Sequence, residues 1–134
     1  MSESFDRMAA LGEMPPTLSA RLRFLPDADR SVIGTIRCGV LFVMAFWSGP
    51  ARLAFAELKR VLSAEDAEGR LELVVVDTDG CPDLQDQPEF TGKLHGAGET
   101  AWVKGGVVVS TSGLGYHPEC FGPNTRRLLS ECAA

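Results

Sequence analysis

The chain has 134 residues, of which 45% are hydrophobic and 23% charged, the balance of one ordinary globular domain able to bury a real core. Eighteen acids against 13 Lys and Arg give a net charge of −5, and the basic residues do not cluster beyond pairs such as Arg126-Arg127. That excludes a phosphate-backbone reader, which needs a basic face, so no nucleic-acid partner is expected.

Residues 1–17 read as an N-terminal extension, in which Phe5, Met8, Ala9 and Leu11 could form one short helix stopped by Gly12 and Pro15-Pro16. The first residues are acidic and lack an apolar stretch, so no signal peptide is expected and the cytoplasm is the default compartment. Residues 18–134 read as a single domain. Thr17 to Leu25 alternates, with Leu18, Ala20, Leu22 and Phe24 opposite Arg21 and Arg23, which predicts a half-exposed strand. Asp27 or Asp29 then caps a helix carrying Val32, Ile33 and Ile36, closed by Gly39.

Val40 to Phe46 is an unbroken apolar run, too short for a membrane span and suited to a central buried strand. Trp47-Ser48-Gly49-Pro50-Ala51 makes the turn. Ser48 is placed to cap a helix whose first position Pro50 tolerates, and whose buried side is read as Leu53, Ala54, Ala56, Leu58, Val61 and Leu62. Leu71 to Val76 is a second buried strand, parallel to the first because a helix crosses between them. A short helix is expected near Leu84 to Phe90. Thr100–Lys104 and Val107–Thr111 then flank Gly105-Gly106 as a hairpin, and a last helix starts at Asn124 or Thr125.

The strand-Trp47-Ser48-Gly49-Pro50-Ala51-helix junction, the run Gly69 to Asp79, the Lys104-Gly-Gly-Val turn and Gly113 or Gly115 before the last helix together resemble the thioredoxin superfamily. The resemblance spans roughly Ser19 to Cys132. It implies an α/β fold with a central mixed sheet in the order β-α-β-α-β-(α)-β-β-α, and an active loop reading Trp-Cys-Gly-Pro-Cys. Here Ser48 and Ala51 replace both cysteines. Phe42 stands where the family keeps a buried acid, Val75 where a lysine pairs with it, and Glu99-Thr100 where a cis-Pro-Thr is expected. A non-proline cis bond there would cost about 3 kcal/mol. Dithiol exchange needs a thiolate at the helix N-terminus and a resolving thiol, so the loop is expected to be redox-inactive.

The expected role is therefore protein binding or scaffolding through the former groove: Trp47, Ser48, Gly49, Pro50, Ala51, Glu99 and Thr100. In the family the loop Trp flanks a docking groove, and Glu99 near Ser48 would make this one more acidic. No catalytic residue, cofactor, metal or membrane contact is expected, the partner is another protein, and the state is a monomer or weak homodimer. Ser48 as a nucleophile lacks a nearby base, because His95 and His117 are distant in sequence.

The four cysteines form no C-x-x-C pair and read as plain thiols, with a Cys81–Cys120 bridge as one geometric option. The alternative to a binding role is single-cysteine redox chemistry at Cys81 or Cys120. His117-Pro-Glu-Cys120, with Cys81 or His95, offers zinc-type ligands at weak spacing. Asp77-Thr-Asp79-Gly80 imitates the first motif of haloacid-dehalogenase-type phosphatases, but too little chain follows it.

Overall fold

The computed structural model describes residues 11–90, 96–113 and 117–132. The five β-strands run Leu22–Leu25 (β1), Cys38–Met44 (β2), Glu72–Asp77 (β3), Thr100–Lys104 (β4) and Val107–Thr111 (β5). They form one sheet in the order β1-β3-β2-β4-β5. β1 and β2 pair parallel with β3, while β2–β4 and β4–β5 are antiparallel, so the sheet is mixed as expected.

Alternation along the central strands sends side chains to both faces. Val40, Phe42, Met44, Leu73, Val75 and Trp102 join one apolar layer. Leu41, Val43, Val74, Val76, Ala101 and Val103 join the other. The first is covered by helices Pro16–Arg21 (α1), Gly49–Glu65 (α2) and Phe121–Glu131 (α3). The second lies under irregular chain bearing Val32, Ile33, Ile36, Leu84 and Phe90. Burial on both faces explains why β2 and β3 read as continuous hydrophobic runs.

Several local expectations need correction. Residues 17–21 are helical rather than extended. Pro16 lies in the first helical turn, and Arg21 closes α1 by reaching Asp66, so tertiary contacts override the alternation. β1 keeps only Leu22–Leu25. Val32 and Ile33 lie in a 3-10 helix, Arg30–Thr35, capped by Asp29, whose carboxylate accepts the Ser31 N–H at 2.9 Å. The expected helix near Leu84 is a 3-10 turn over Pro82–Asp86. α3 begins at Phe121, before Asn124, because Pro123 fits a first turn and the buried Phe121 anchors it.

On α2, Leu53 and Ala56 face solvent, whereas Phe55 is buried against Phe42 with ring centroids 5.0 Å apart. Leu11 is also buried, and the Lys59 ammonium donates to the Leu11 and Glu13 carbonyls at 2.8 and 3.2 Å. Phe5, Met8 and Ala9 lie outside the described residues. The β4–β5 turn is built on Gly105 and Gly106, both at positive φ (59° and 78°), as a two-residue hairpin of this hand requires.

The cysteines are also corrected. Cys38 and Cys132 form a disulfide across 94 residues, with Cα atoms 6.3 Å apart. Cys81 and Cys120 are free thiols rather than a bridge. β2 starts beside the end of α3, and that Cα separation lies within the range a disulfide spans.

Candidate functional site

The carboxyl end of β2 delivers the chain to the loop the sequence singled out. Ser48 is in extended conformation at the N-cap of α2, and its Oγ accepts the Ala51 N–H at 3.3 Å while donating to the Gly96 carbonyl. Only 7% of Ser48 is exposed. Its hydroxyl is thus committed on both sides and ties α2 to the segment before β4. Pro50 occupies the first turn without loss of a hydrogen bond, Ala51 is fully buried, and Arg52 donates to the Phe46 carbonyl at 2.8 Å.

Residues 96–99 lie flat against this loop. A Cβ on Gly96 would come within 2.5 Å of the Trp47 ring, and one on Gly98 within 2.6 Å of Ala54 and 3.0 Å of the Phe42 ring. Both glycines have positive φ, so this close approach fixes the residue type twice over.

Glu99 does not rim a surface groove. It is buried, its backbone carbonyl accepts the Val43 N–H, and its carboxylate accepts the Ala97 N–H at 3.3 Å. Thr100 is buried too; its hydroxyl donates to the Gly98 carbonyl and its N–H to the Ser112 hydroxyl, both at 2.9 Å. The expected acid–lysine pair is replaced by two apolar neighbours. Phe42 and Val75 are register partners on β2 and β3, and Thr100 faces Phe42 from β4. Among the described residues there is no cis peptide bond.

Beside the exposed Arg52, the loop leaves an apolar surface open. Trp47 is 65% and Leu53 62% exposed, and Pro50 is exposed beside them. Pro50 and Leu53 stand three apart on α2 and share a helix face, which continues the surface begun by Trp47. Leu53, like Ala56, is a residue that sequence reasoning placed on the buried side. The available signal was its position one residue from the true buried stripe, Ala51, Ala54, Phe55 and Leu58.

The Asp77 carboxylate accepts the Asp79 N–H at 2.9 Å and caps a 3-10 turn, Thr78–Gly80. His117 Nδ1 lies 3.3 Å from Glu119, and the Cys120 thiol donates to the His117 carbonyl at 3.1 Å. Among the described residues no three His, Cys, Asp or Glu side chains group as metal ligands, and His95 lies outside them. Burial, with the Asp83 carboxylate beside it, pushes the Cys81 thiol up to about 11. Burial, with Glu119 nearby, raises that of Cys120 as well. Both shifts run opposite to the depressed pKa of an activated thiol.

Comparison with known structures places this architecture. Mitochondrial thioredoxin 3 from Saccharomyces cerevisiae, in its oxidised form, is 18% identical with a TM-score of 0.60, over 83% of this chain and 98% of that one. Schistosoma mansoni thioredoxin is 15% identical at 0.59, over 81% and 95%. A chain from a study of the thiol resolving mechanism in yeast mitochondrial 1-Cys peroxiredoxin is 19% identical at 0.59, over 81% and 96%. The chain therefore has a thioredoxin-like fold. No family model matches it. No curated protein matches it either. Among the described residues, no helix is long and apolar enough to cross a membrane.

Proposed function

We propose that this is a binding module in which the loop end of a thioredoxin-like fold docks another protein without dithiol chemistry. The observation that carries this reading is Trp47. It projects 65% exposed from a loop whose only hydroxyl, that of Ser48, is already bonded to Ala51 and Gly96. An exposed Trp with Pro50 and Leu53 supplies the rigid apolar contact that anchors protein interfaces, while Ser48 and Ala51 offer nothing to exchange with a disulfide. Ala51, Glu99 and Thr100 are buried and so lie out of a partner's reach. The reading uses the cytoplasm as compartment, and a monomer or weak homodimer as the unpartnered state.

Two measurements test it together: insulin reduction driven by dithiothreitol, and capture of partners from native extract by the wild-type chain and by Trp47→Asp. The expected result is no turnover by the loop and a set of captured proteins lost in Trp47→Asp. Turnover abolished by Ser48→Ala, or a capture set indifferent to Trp47→Asp, overturns the reading. Size-exclusion mass that shifts with Trp47→Asp would assign the surface to a second copy of the chain instead.

A further inference from the structure

The opposite end of β2 carries a second feature that owes nothing to the loop. The Cys38–Cys132 disulfide joins the first residue of β2 to the residue after α3, and both cysteines are only half-buried. Cys38 also lines an open pocket of about 450 Å³ with Gly34, Ile36, Arg37, Lys104 and Gly105. Lys104 is the register partner of Cys38 on β4, so the pairing of these strands holds it there. Arg37 precedes Cys38 directly, and its N–H donates to Glu72 at 2.9 Å. Glu72 is the acid next to this pocket, and Arg23 pairs with it at 3.1 Å. Arg37 and Lys104 are exposed, and neither makes an ion pair among the described residues. The pocket wall thus carries Arg37 and Lys104 together with Cys38, in a chain whose net charge is −5.

We propose that the Cys38–Cys132 bond is a thiol-exchange site served by small anionic thiols, which the Arg37–Lys104 pocket concentrates next to Cys38. A thiolate R–S⁻ with a second negative group attacks Cys38 Sγ, forming Cys38–S–S–R and breaking the bond to Cys132. Cys132 leaves as a thiolate and takes a proton from water. A second R–S⁻ then attacks the R sulfur, giving R–S–S–R and the Cys38 thiolate. Two electrons pass from two small thiols to the protein disulfide, and the reverse sequence reoxidises it. The two cations act by raising the local concentration of the anion and steering it, an effect that salt screens.

The test uses the purified, oxidised full chain and three thiols of matched length: anionic 2-mercaptoethanesulfonate, neutral 2-mercaptoethanol and cationic cysteamine. Reduction of Cys38–Cys132 is followed by alkylation quench and mass spectrometry, with rates divided by thiolate concentration. The sulfonate is expected to react about tenfold faster than the neutral thiol, as cationic steering allows, and cysteamine slowest. The order should vanish in Arg37→Ala/Lys104→Ala and at 1 M salt, where the screening length falls to about 3 Å. The transient adduct should map to the peptide containing Cys38. Equal normalised rates, an order that survives the double substitution, an adduct on Cys132, or reduction only in denaturant each overturn the proposal. Such outcomes leave the Trp47 surface untouched, since capture by that surface does not depend on this bond.

Discussion

The two ends of β2 are built by opposite means. At the carboxyl end, a neutral serine cap and two close-packed glycines hold a loop that leaves Trp47 in solvent. At the amino end, some 20 Å away by strand rise, the chain is fastened by the Cys38–Cys132 bond and by the Arg21–Asp66 pair. Asp66, nearly fully buried after α2, also accepts the Arg70 and Leu71 N–H groups at 2.9 Å. Arg21 in turn donates to the Leu71 carbonyl at 2.9 Å. Asp66 and Arg21 thereby lock the end of α2 to the start of β3 and to α1. The difference teaches that the strongest fastenings of the fold lie away from the loop.

The comparison breaks first at Asp66. Asp66→Ala leaves the Arg21 guanidinium without its buried partner and orphans two N–H groups. Removal of one member of a buried pair costs about 3–5 kcal/mol, read as a large fall in the denaturation midpoint. A loss below 1 kcal/mol would show that this end is not pinned electrostatically. Next comes the disulfide, which closes a loop of 94 residues. Cys38→Ala/Cys132→Ala is expected to cost about 2–4 kcal/mol, and reduced wild-type protein should unfold at a similar midpoint. Equal stability of the oxidised and reduced chains would reject a stabilising bond.

The contrast between the ends also explains what the sequence disclosed. β2, β3 and the β4–β5 hairpin were legible because double burial and the Gly105-Gly106 turn leave continuous local patterns. Ser48 as an N-cap was legible for the same reason: its partner, the Ala51 N–H, lies three residues away. The disulfide was not, because no spacing rule connects Cys38 to Cys132; only the docking of α3 beside β2 does so. Asp66 was hidden likewise, its partner Arg21 being 45 residues distant. Glu99 was misjudged because residues 96–99 fold over it, a matter of Gly96 and Gly98 packing rather than of composition. Local interactions could be read in the chain, and the long-range fastenings could not.

Smaller effects sharpen the comparison. Ser48→Ala removes the cap and leaves the Gly96 carbonyl without its donor, and should cost about 1 kcal/mol by chemical denaturation. Ser48→Asn should restore part of it. An unchanged midpoint in Ser48→Ala would deny the tie between α2 and residues 96–98. Cys81 adds a pH dependence belonging to neither end. Its folded thiol is held at about 11 against an ordinary 9.0, so between those values the unfolded chain loses its proton first. The native state then binds more protons, and stability falls as pH rises from about 9 to about 11. Cys81→Ala should flatten that slope. Native alkylation of Cys81 near pH 8 should be slow; fast labelling there would mean that burial does not suppress its ionisation.

The smallest stability effect belongs to the residue proposed to matter most for function. The Trp47 ring lies over Gly96, and the residue is 65% exposed. Trp47→Ala should therefore shift stability by no more than about 0.5 kcal/mol, the range of an exposed substitution free of buried partners. Trp102 provides the control on the same sheet. It is fully buried, donates from its indole to Thr125 at 3.1 Å and packs on Phe121, so Trp102→Ala should cost about 3–5 kcal/mol. If Trp47→Ala proved as costly as Trp102→Ala, the loop tryptophan would be a core residue and its exposure could not serve a partner. A neutral Trp47→Ala that still loses captured protein separates binding from folding at the residue where the two readings meet.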